Sequence, residues 1–417
     1  MEKMEFDVIV VGGGIMGSCA AYQLAKRGLR TLLLEQFDFL HHRGSSHGES
    51  RTIRATYPEE YYAKMVLAAE ALWREAEAEI GYKVFFKTRQ LDMGPADNAA
   101  LQAVVSSCRK VSIPVRVLDP KRVVEEFGGR FRLPENWVGV VTEHGGVIKP
   151  TKAVSMFQAL AVKHGATLRD HVEVNGVERD SLTGGISVTA KSGERFSGKK
   201  CVITVGAWVR KLVTEITGSR VVLPVQPLET NVSYWRIKEG HERDFTIANG
   251  FPSFASYGEP YVYGTPPLEF PGLIKVGWHG GRECEAEGRT FAPLASSIPS
   301  LKQWIEGRFG GLVDSSAPVI SQSCMYSMTP DEDYVIDFLG GELGKDVVVG
   351  GGFSGHGFKM GPLVGQILAD LVWSGSSRGP HDLAHFRIDR FKENDKGNVK
   401  DFADQVNRKA DFIMGRL

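Results

Sequence analysis

Apolar and polar positions follow patterns along the chain that predict both strands and helices. Residues 8–11 form a continuous apolar run, which is typical of a buried parallel strand. Apolar residues then recur at helical spacing over 15–27, Gly28 ends this helix, and Thr31–Leu34 predicts a second strand. The chain therefore opens with a strand–helix–strand unit.

The same patterns place further elements along the rest of the chain. Helical spacing predicts helices over 59–80, 97–110, 151–164 and 297–308. Short strands and turns are expected over 113–150, with a bend at Gly145-Gly146, and strands near 167–178, 185–190 and 195–204, with turns at Asn175-Gly176 and Gly184-Gly185. Residues 221–280 are rich in β-branched and aromatic side chains and predict an antiparallel sheet, whereas 313–334 is expected to be a loop.

An apolar strand followed by a Gly-rich turn occurs three times, near 8–17, 202–207 and 347–361. The repetition of this pattern predicts that one nucleotide-binding domain is assembled from distant segments of the chain. We predict an α/β fold in which a Rossmann-type domain is interleaved with an antiparallel-sheet substrate domain. The first domain comprises 1–60, 145–220 and 320–380, the second 61–144 and 221–319, and 381–417 form a C-terminal tail of helix and loop.

The glycines of the first turn have the spacing of a dinucleotide-binding fingerprint. Gly12 allows the tight turn, Gly14 lets the backbone approach a pyrophosphate, and Gly17 lets the helix pack on the strand. Glu35 closes the second strand 23 residues after Gly12, where a carboxylate accepts hydrogen bonds from ribose hydroxyls. This fingerprint does not choose between NAD and FAD.

Composition excludes several classes of function. The 50 basic and 50 acidic residues among 417 cancel, which gives no electrostatic case for binding nucleic acid or an anionic membrane. We expect no membrane span, and no signal peptide before the first strand. Five unpatterned cysteines indicate a reducing compartment, and the clustered His41, His42 and His47 lack a metal-site pattern, so no metal is expected.

Residues 36–58 are polar, Gly-rich and too irregular for a strand, yet too long for a simple connection. Within them, SSHGESRTIR holds Arg51 and Arg54. Their planar guanidinium groups suit a phosphate or a carboxylate, so we expect this segment to be functional rather than a solvated basic loop.

Five strings together resemble the monomeric sarcosine oxidase and L-pipecolate oxidase family of FAD-dependent amine oxidases. They are VIVVGGGIMG, SHGESRTIR, KVGWH, CMYSMTPDEDYVID and GFSGHGFK, and the resemblance runs almost end to end. It implies oxidation of a secondary amino acid such as sarcosine or L-pipecolate to an imine, with oxygen reduced to hydrogen peroxide. It also implies a monomer whose partners are only its small-molecule substrate and oxygen.

The resemblance further implies FAD joined through its 8α-methyl to Cys324, although an inert buried cysteine is the alternative. Lys275, His279 and Arg51 match catalytic positions, with Lys275 as the oxygen-activating group. Arg54 and Lys359 match the partners of the substrate carboxylate, and Tyr263 and Tyr326 match residues that line the substrate cavity. The positions expected to contact FAD are Gly12, Gly14, Ile15, Met16, Gly17, Glu35, Gln36, Ser45, His47, Ser50, Arg51, Val172, Gly206, Trp208, Cys324, Met325, Phe353, Gly355, His356, Gly357, Phe358 and Lys359.

The chain departs from the family pattern at two places. The segment TPPLEFPGLI between Tyr263 and Lys275 carries three prolines, which alters one wall of the cavity and leaves the size of the substrate open. The chain ends in Gly-Arg-Leu rather than Ser-Lys-Leu. This tripeptide is either a weak peroxisomal signal or a chance similarity. If it is not a signal, we expect a cytoplasmic protein.

Three rival functions stay open at this point. A flavin dehydrogenase would use the same fold and amine chemistry but pass electrons to another acceptor. An NAD-dependent dehydrogenase is disfavoured by the three-segment assembly, and a flavin-binding protein without catalysis is disfavoured by the cluster of cations.

Overall fold

Two large β-sheets carry the chain in the computed structural model, which describes residues 5–377, 379 and 382–400. The strands are β1 (Phe6–Val11), β2 (Thr31–Leu34), β3 (Arg51–Arg54), β4 (Phe85–Pro95), β5 (Arg116–Leu118), β6 (Trp137–Ile148), β7 (Thr167–Arg169), β8 (Val174–Arg179), β9 (Ile186–Ala190), β10 (Arg195–Ile203), β11 (Gln226–Arg236), β12 (Ser253–Ser256), β13 (Val262–Thr265), β14 (Leu273–Trp278), β15 (Arg282–Glu283), β16 (Ile320–Met328), β17 (Val335–Gly340) and β18 (Gly344–Gly351). The helices are α1 (Ile15–Lys26), α2 (Glu60–Ile80), α3 (Ala99–Lys110), α4 (Pro120–Glu126), α5 (Pro150–Lys163), α6 (Val209–Ile216), α7 (Ile298–Arg308), α8 (Gly361–Ser374) and α9 (Arg390–Glu393).

The first sheet has the strand order β17-β18-β10-β1-β2-β7, with β8 and β9 continuing from β10. Strands β18, β10, β1, β2 and β7 run parallel, so their carboxyl ends meet at one edge of the sheet. The three Gly-rich turns predicted from the sequence follow β1, β10 and β18, which are neighbours in this sheet. Three distant segments of the chain therefore build one sheet, as the repeated pattern predicted.

Helices α1 and α8 lie against each other on one face of this sheet. A Cβ atom at Gly365 would lie 2.4 Å from Cys19 Cβ, so glycine is what allows the two helices to approach so closely. Gly17 has a comparable role, since a Cβ there would lie 1.9 Å from the carbonyl oxygen of Gly12. These contacts fix the N-terminus of α1 beside the turn after β1.

The second sheet has the order β15-β11-β14-β13-β12-β4-β6-β3, with β16 also paired to β11 and β5 to β6. The sequence predicted an antiparallel sheet, but one pair of neighbouring strands, β12 and β4, runs parallel. Aromatic side chains fill its core, among them Trp235, Phe251 and Phe254, all of which are buried. Several strands of this sheet contribute side chains to a small cavity, among them Arg54 and Lys275.

Several local predictions were confirmed and others were wrong. The helices expected over 59–80, 97–110, 151–164 and 297–308 are present as α2, α3, α5 and α7, whereas α4 was not predicted. The bend expected at Gly145-Gly146 lies inside β6, where a Cβ at Gly146 would stand 2.3 Å from Phe85 Cε2. The turn expected at Asn175-Gly176 is a register shift inside β8, while Gly184 does lie in the turn between β8 and β9.

Two segments expected to be irregular are strands. Residues 51–54, inside the supposed loop 36–58, form β3 and pair with β6, and 320–328, inside the supposed loop 313–334, form β16. Both strands belong to the second sheet although 1–60 and 320–380 were assigned to the first domain. Residues 145–148 likewise belong to the second sheet as the end of β6. The division into two domains stays a prediction, with its boundaries corrected at these segments.

None of the helices in the described part of the chain combines the length and the hydropathy that crossing a membrane requires.

Candidate active site

A cavity of about 560 Å³ opens at the carboxyl ends of the parallel strands, where the first sheet meets β16. Its floor is the turn after β1, in which Gly12 has a φ of +102° and a Cβ would lie 2.5 Å from the carbonyl oxygen of Thr204. Such a bare backbone cradle at the start of a helix suits a pyrophosphate. The shape and chemistry of this cavity therefore fit the FAD expected from the sequence.

Glu35 stands at one end of this cavity. Its Oε2 accepts a hydrogen bond from the backbone N–H of Gly13 at 2.7 Å, and its Oε1 accepts one from that of Phe37 at 3.0 Å. These bonds hold a buried carboxylate beside the glycine turn, as recognition of a ribose requires. Ser46, which the sequence analysis missed, accepts a hydrogen bond through Oγ from the N–H of Ile15 at 3.1 Å.

Most positions predicted to contact FAD line this cavity. They are Gly12, Gly14, Ile15, Met16, Glu35, Gln36, Ser45, Arg51, Val172, Gly206, Trp208, Cys324, Met325, Phe353, Gly355, Gly357 and Phe358. The remaining predicted positions lie elsewhere: Gly17 is in the interface of α1 with the first turn, and His356 and Lys359 line a second cavity. His47 and Ser50 are buried, beside Cys324 and Lys275 respectively.

Cys324 lies in β16 and lines both cavities. Its pairing with β11 places it opposite Thr230, and Arg51 Nη2 lies 3.4 Å from its Sγ. Burial alone would raise the pKa of the Cys324 thiol, but the Arg51 charge and a hydrogen bond with His47 outweigh burial and lower that pKa to about 5. The sulfur is therefore a thiolate at neutral pH, which is the nucleophilic form of cysteine.

The second cavity, of about 160 Å³, lies on the second sheet and shares Arg51, Cys324, Tyr326, Gly355 and Phe358 with the first. Its lining includes all the positions predicted for substrate and catalysis. They are Arg51, Arg54, Tyr263, Lys275, His279, Tyr326 and Lys359. The structure thus brings the predicted substrate side chains together next to the predicted flavin cavity.

Arg54 is held at the end of β3 by its neighbours. Its Nη1 donates to the carbonyl oxygen of Thr56 and to Tyr257 OH, the latter at 3.3 Å. Asp92, fully buried, lies close enough to act on the Arg54 charge, and burial raises the pKa of this carboxyl. Tyr257 and Asp92 were missed by the sequence analysis because nothing in their local sequence distinguishes them from sheet residues.

Lys359, in the lining of the smaller cavity, is connected by hydrogen bonds through Tyr57 to His356. Its Nζ donates to Tyr57 OH at 2.9 Å, and Tyr57 OH lies 3.2 Å from His356 Nδ1. His356 Nε2 lies 2.9 Å from the carbonyl oxygen of Glu332, so the ring carries its proton on Nε2 and accepts at Nδ1. Burial, together with the Lys359 charge, lowers the pKa of His356 well below its ordinary value, which keeps the ring neutral.

Lys275 lies in β14, 3% exposed, and its Nζ donates to the carbonyl oxygen of Ser50 at 2.6 Å. Burial and the nearby Arg51 charge lower the pKa of Lys275 to about 7. Since burial penalises a charged amine, this group exchanges its proton near neutral pH. It is a titratable amine in the lining of the smaller cavity.

Aromatic side chains complete the smaller cavity. Tyr326 OH donates to Tyr263 OH at 3.3 Å, and the rings of His279 and Tyr326 are 5.5 Å apart. The ring of Tyr261, which the sequence analysis missed, lies 5.2 Å from that of His279. The site therefore joins an aromatic wall to a group of cations.

Comparison with known proteins gives the relationships of the chain. Residues 7–371 match the family model described as FAD dependent oxidoreductase. The chain is 61% identical over 403 residues to "Probable sarcosine oxidase" of Arabidopsis thaliana, covering 96% of each chain. It is 35% identical to "Peroxisomal sarcosine oxidase" of Homo sapiens, over 95% of this chain and 99% of that one.

Solved structures show the same fold. The open form of NikD, described as an unusual amino acid oxidase essential for nikkomycin biosynthesis, superposes with a TM-score of 0.77. It is 24% identical, over 92% of this chain and 97% of that one.

Proposed function

The chain belongs to the FAD-dependent oxidoreductase family, and from this premise we propose that it oxidises a small secondary amino acid, such as sarcosine, to an imine and reduces oxygen to hydrogen peroxide. One observation carries the proposal. Arg54, a guanidinium, and Lys359, a buried amine, are both donors suited to a carboxylate, and they line the cavity that shares Cys324 with the flavin cavity. The sarcosine oxidase names of the Arabidopsis and human relatives support it.

Arg54 and Lys359 bind the substrate carboxylate in this proposal. Arg54 supplies a planar donor whose position is set by Thr56 and Tyr257, and Lys359 supplies an amine whose position is set by Tyr57. Two fixed donors orient the rest of a small amino acid, so its amine and the adjacent C–H bond face the flavin cavity. Orientation of this kind removes much of the entropic cost of the reaction.

Cations that line the smaller cavity also control the protonation of the substrate amine. Arg51, Arg54 and Lys275 all line the smaller cavity, and their positive charges disfavour a protonated amine beside them. A neutral amine has the lone pair that assists the loss of two electrons and a proton from carbon. Arg54 therefore contributes both to carboxylate binding and to activation of the amine.

The residues of the larger cavity hold FAD, which supplies the two-electron oxidation of the amine and hands those electrons to oxygen. The glycine turn and the N-terminus of α1 bind its pyrophosphate, and Glu35 binds a ribose. Cys324 Sγ, in the lining shared by the two cavities, would be the covalent attachment point of FAD. Arg51 and His47 stabilise the Cys324 thiolate.

Lys275 assists the reduction of oxygen in this account. Its ammonium group stabilises the negative charge that develops on oxygen in a buried site, where one well-placed charge is worth more than in water. His279 and the two tyrosines, Tyr263 and Tyr326, form the wall against the body of the substrate.

The size of the cavity supports a small substrate. Its volume of about 160 Å³ is less than a third of the roughly 560 Å³ of the larger cavity. Sarcosine, L-proline and L-pipecolate all carry the required carboxylate and secondary amine. One extra methylene changes selectivity by only about 1–3 kcal/mol, so the three are compared directly in the test below.

The test is substrate-dependent formation of peroxide by the purified yellow protein. We expect one peroxide for each amine oxidised, and formaldehyde from sarcosine, with Arg54→Ala as the variant that loses carboxylate binding. Substrate oxidation that yields no peroxide but reduces an added dye would instead assign a flavin dehydrogenase. Absence of oxidation with all three amino acids would contradict the proposed substrate class.

Peroxisomal location and a monomeric state are the remaining parts of this proposal. The C-terminal Gly-Arg-Leu, which lies outside the described residues, and the name of the human relative support the location. A fluorescent fusion that ends in the native tripeptide should enter peroxisomes, and a fusion lacking it should stay outside them. Light scattering of the purified protein reports its mass in solution.

A further inference from the structure

Residues 382–400, which follow α8 and which we call the C-terminal strap, return to the smaller cavity. Phe386 of the strap is fully buried, and its ring lies 5.5 Å from that of Tyr334 and 5.9 Å from those of Tyr61 and Tyr62. Tyr61 and Tyr62 belong to α2, which contributes Tyr62 to the lining of the cavity, and Tyr334 directly precedes β17. The strap lies at the surface and is anchored to the molecule by buried residues such as Phe386 and Arg390.

Two buried aspartates after β16 hold the strap in place. Asp331 pairs with Arg390 at 2.8 Å and accepts a hydrogen bond from the N–H of Asn398 at 2.8 Å. Asp333 accepts a hydrogen bond from Asn398 Nδ2 at 2.8 Å and another from Tyr61 OH at 2.7 Å. The two aspartates follow β16, the strand that carries Cys324. These contacts therefore hold the strap close to the strand that lines both cavities.

Lys400 is the residue of the strap that reaches the cavity itself. Its side chain is 8% exposed and lines the cavity together with Glu59, His356 and Lys359. Its Nζ lies 2.9 Å from Glu59 Oε1 and 3.3 Å from Asp333 Oδ1. Both carboxylates are nearly buried, so the Lys400 ammonium lies between two charges and cannot move aside without losing both ion pairs.

We propose that the C-terminal strap closes the substrate cavity and that Lys400 is a specificity-determining residue, whose side chain limits the size of the substrate. This inference rests on the proposed assignment of the smaller cavity to the substrate. The long side chain of Lys400 fills space that a branched substrate side chain needs. Its two ion pairs make that part of the wall rigid, so a larger substrate cannot displace it.

A purely structural role for Lys400 would change stability and total activity but not the preference between substrates. The preference ratio is therefore the deciding quantity. It is kcat/KM for N-methyl-L-leucine divided by kcat/KM for sarcosine, measured on the flavin-loaded full chain. Lys400→Ala creates space at the wall, and Lys400→Met creates less, while Lys396→Ala changes an exposed lysine of the same strap and serves as the control.

We expect Lys400→Ala to raise the preference ratio by about tenfold or more, because differences of one or two methylene groups change selectivity by that order. We expect Lys400→Met to raise it by about threefold and Lys396→Ala to leave it at the wild-type value. If Lys400→Ala does not yield folded, flavin-loaded protein, the Lys400→Met result decides. An unchanged ratio in the folded Lys400 variants would overturn the proposal.

A binding measurement separates this inference from the proposed reaction. Propionate and 4-methylvalerate, which lack an amine, are titrated into the oxidised holoenzyme while flavin absorbance is followed. Lys400→Ala should improve the affinity for 4-methylvalerate relative to propionate by about tenfold. If the wild type oxidises no secondary amino acid, the proposed function fails, and this affinity ratio still decides the role of Lys400.

Discussion

Arg51 Nη2 lies 3.4 Å from Cys324 Sγ, although the two residues are 273 positions apart in the chain. The contact joins β3 to β16 at the place where the larger and smaller cavities meet. It places a permanent positive charge beside a buried sulfur, and the pKa of the thiol falls to about 5 with the help of His47. The attachment point proposed for FAD is thus built by the same contact that joins the two cavities.

Replacing Cys324 tests that attachment. In Cys324→Ala, FAD should separate from acid-precipitated protein, whereas in the wild type the yellow colour should stay in the pellet. Cys284→Ala is the matched control, because Cys284 is half-buried and absent from the lining of both cavities. Colour that leaves the wild-type pellet would show that the flavin is not covalently bound.

Lys275→Met should slow the reaction of the reduced enzyme with oxygen by about 10²–10³-fold, the usual cost of removing one preorganised stabilising group. Anaerobic reduction of the flavin by substrate should change by less than about tenfold, which stopped-flow absorbance measures separately. Lys238→Met, at an exposed lysine, serves as the control. Equal slowing of both steps would remove Lys275 from its assigned role.

The same lysine predicts a pH dependence with a definite sign. Because burial lowers the pKa of Lys275 to about 7, its ammonium form predominates below that pH and is lost above it. The rate constant for reoxidation should therefore fall as the pH rises through about 7. Lys275→Met should make this part of the profile flat, and a wild-type profile that rises over the same range would argue against a charged Lys275.

Arg54→Ala should raise KM for sarcosine by at least about thirtyfold, since losing one partner of a buried charge pair costs about 2–5 kcal/mol. Arg54→Lys keeps the charge but loses the planar pair of donors, so it should recover only part of the affinity. Steady-state kinetics at fixed oxygen measure both variants. A KM that stays at the wild-type value in Arg54→Ala would contradict carboxylate binding by this residue.

Tyr57→Phe removes one of two acceptors of Lys359 Nζ, the other being the carbonyl oxygen of His356 at 3.0 Å, and should raise KM roughly tenfold, in line with about 1.5–3 kcal/mol for hydrogen bonds to charged groups. We expect kcat to change less than KM. Tyr334→Phe is the control, because Tyr334 OH lies 2.9 Å from His356 Nδ1 while Tyr57 is the tyrosine bonded to Lys359. Equal KM values for Tyr57→Phe and the wild type would contradict the role of the Tyr57 hydrogen bond in positioning Lys359 for substrate binding.

The first sheet was predictable from the sequence because its signals are local. Apolar runs before Gly12, Gly206 and Gly352 identify buried strands that end in glycine turns, and a parallel sheet brings such turns together at one edge. The strands β3 and β16 were not predicted. β3 is a short edge strand with an arginine at each end, and the polar start of β16 hides its alternation.

Asn175-Gly176 shows a related ambiguity. An Asn-Gly pair is the strongest short signal for a hairpin turn, yet the same freedom of the backbone accommodates a bulge inside a strand, as β8 shows. The pattern alone does not distinguish the two, because the partner strand decides which one forms.

The cations and the cysteine of the candidate site were predictable because they lie within recognisable strings. Arg54, Lys275, Cys324 and Lys359 each stand in such a string, and all four line the smaller cavity. Lys400 and Glu59 are 341 positions apart and belong to no motif, so only the folded chain brings their charges together. Tyr57 is an equivalent case, since its role depends on a partner from the far end of the sequence.

Anaerobic addition of sarcosine to the purified yellow protein tests the central claim most directly. The account predicts that the flavin absorbance bleaches with saturation kinetics, that L-pipecolate and L-proline bleach it at rates set by their fit to the smaller cavity, and that Arg54→Ala bleaches only at much higher sarcosine concentration. A flavin that stays oxidised with all three secondary amino acids would contradict the proposed oxidation.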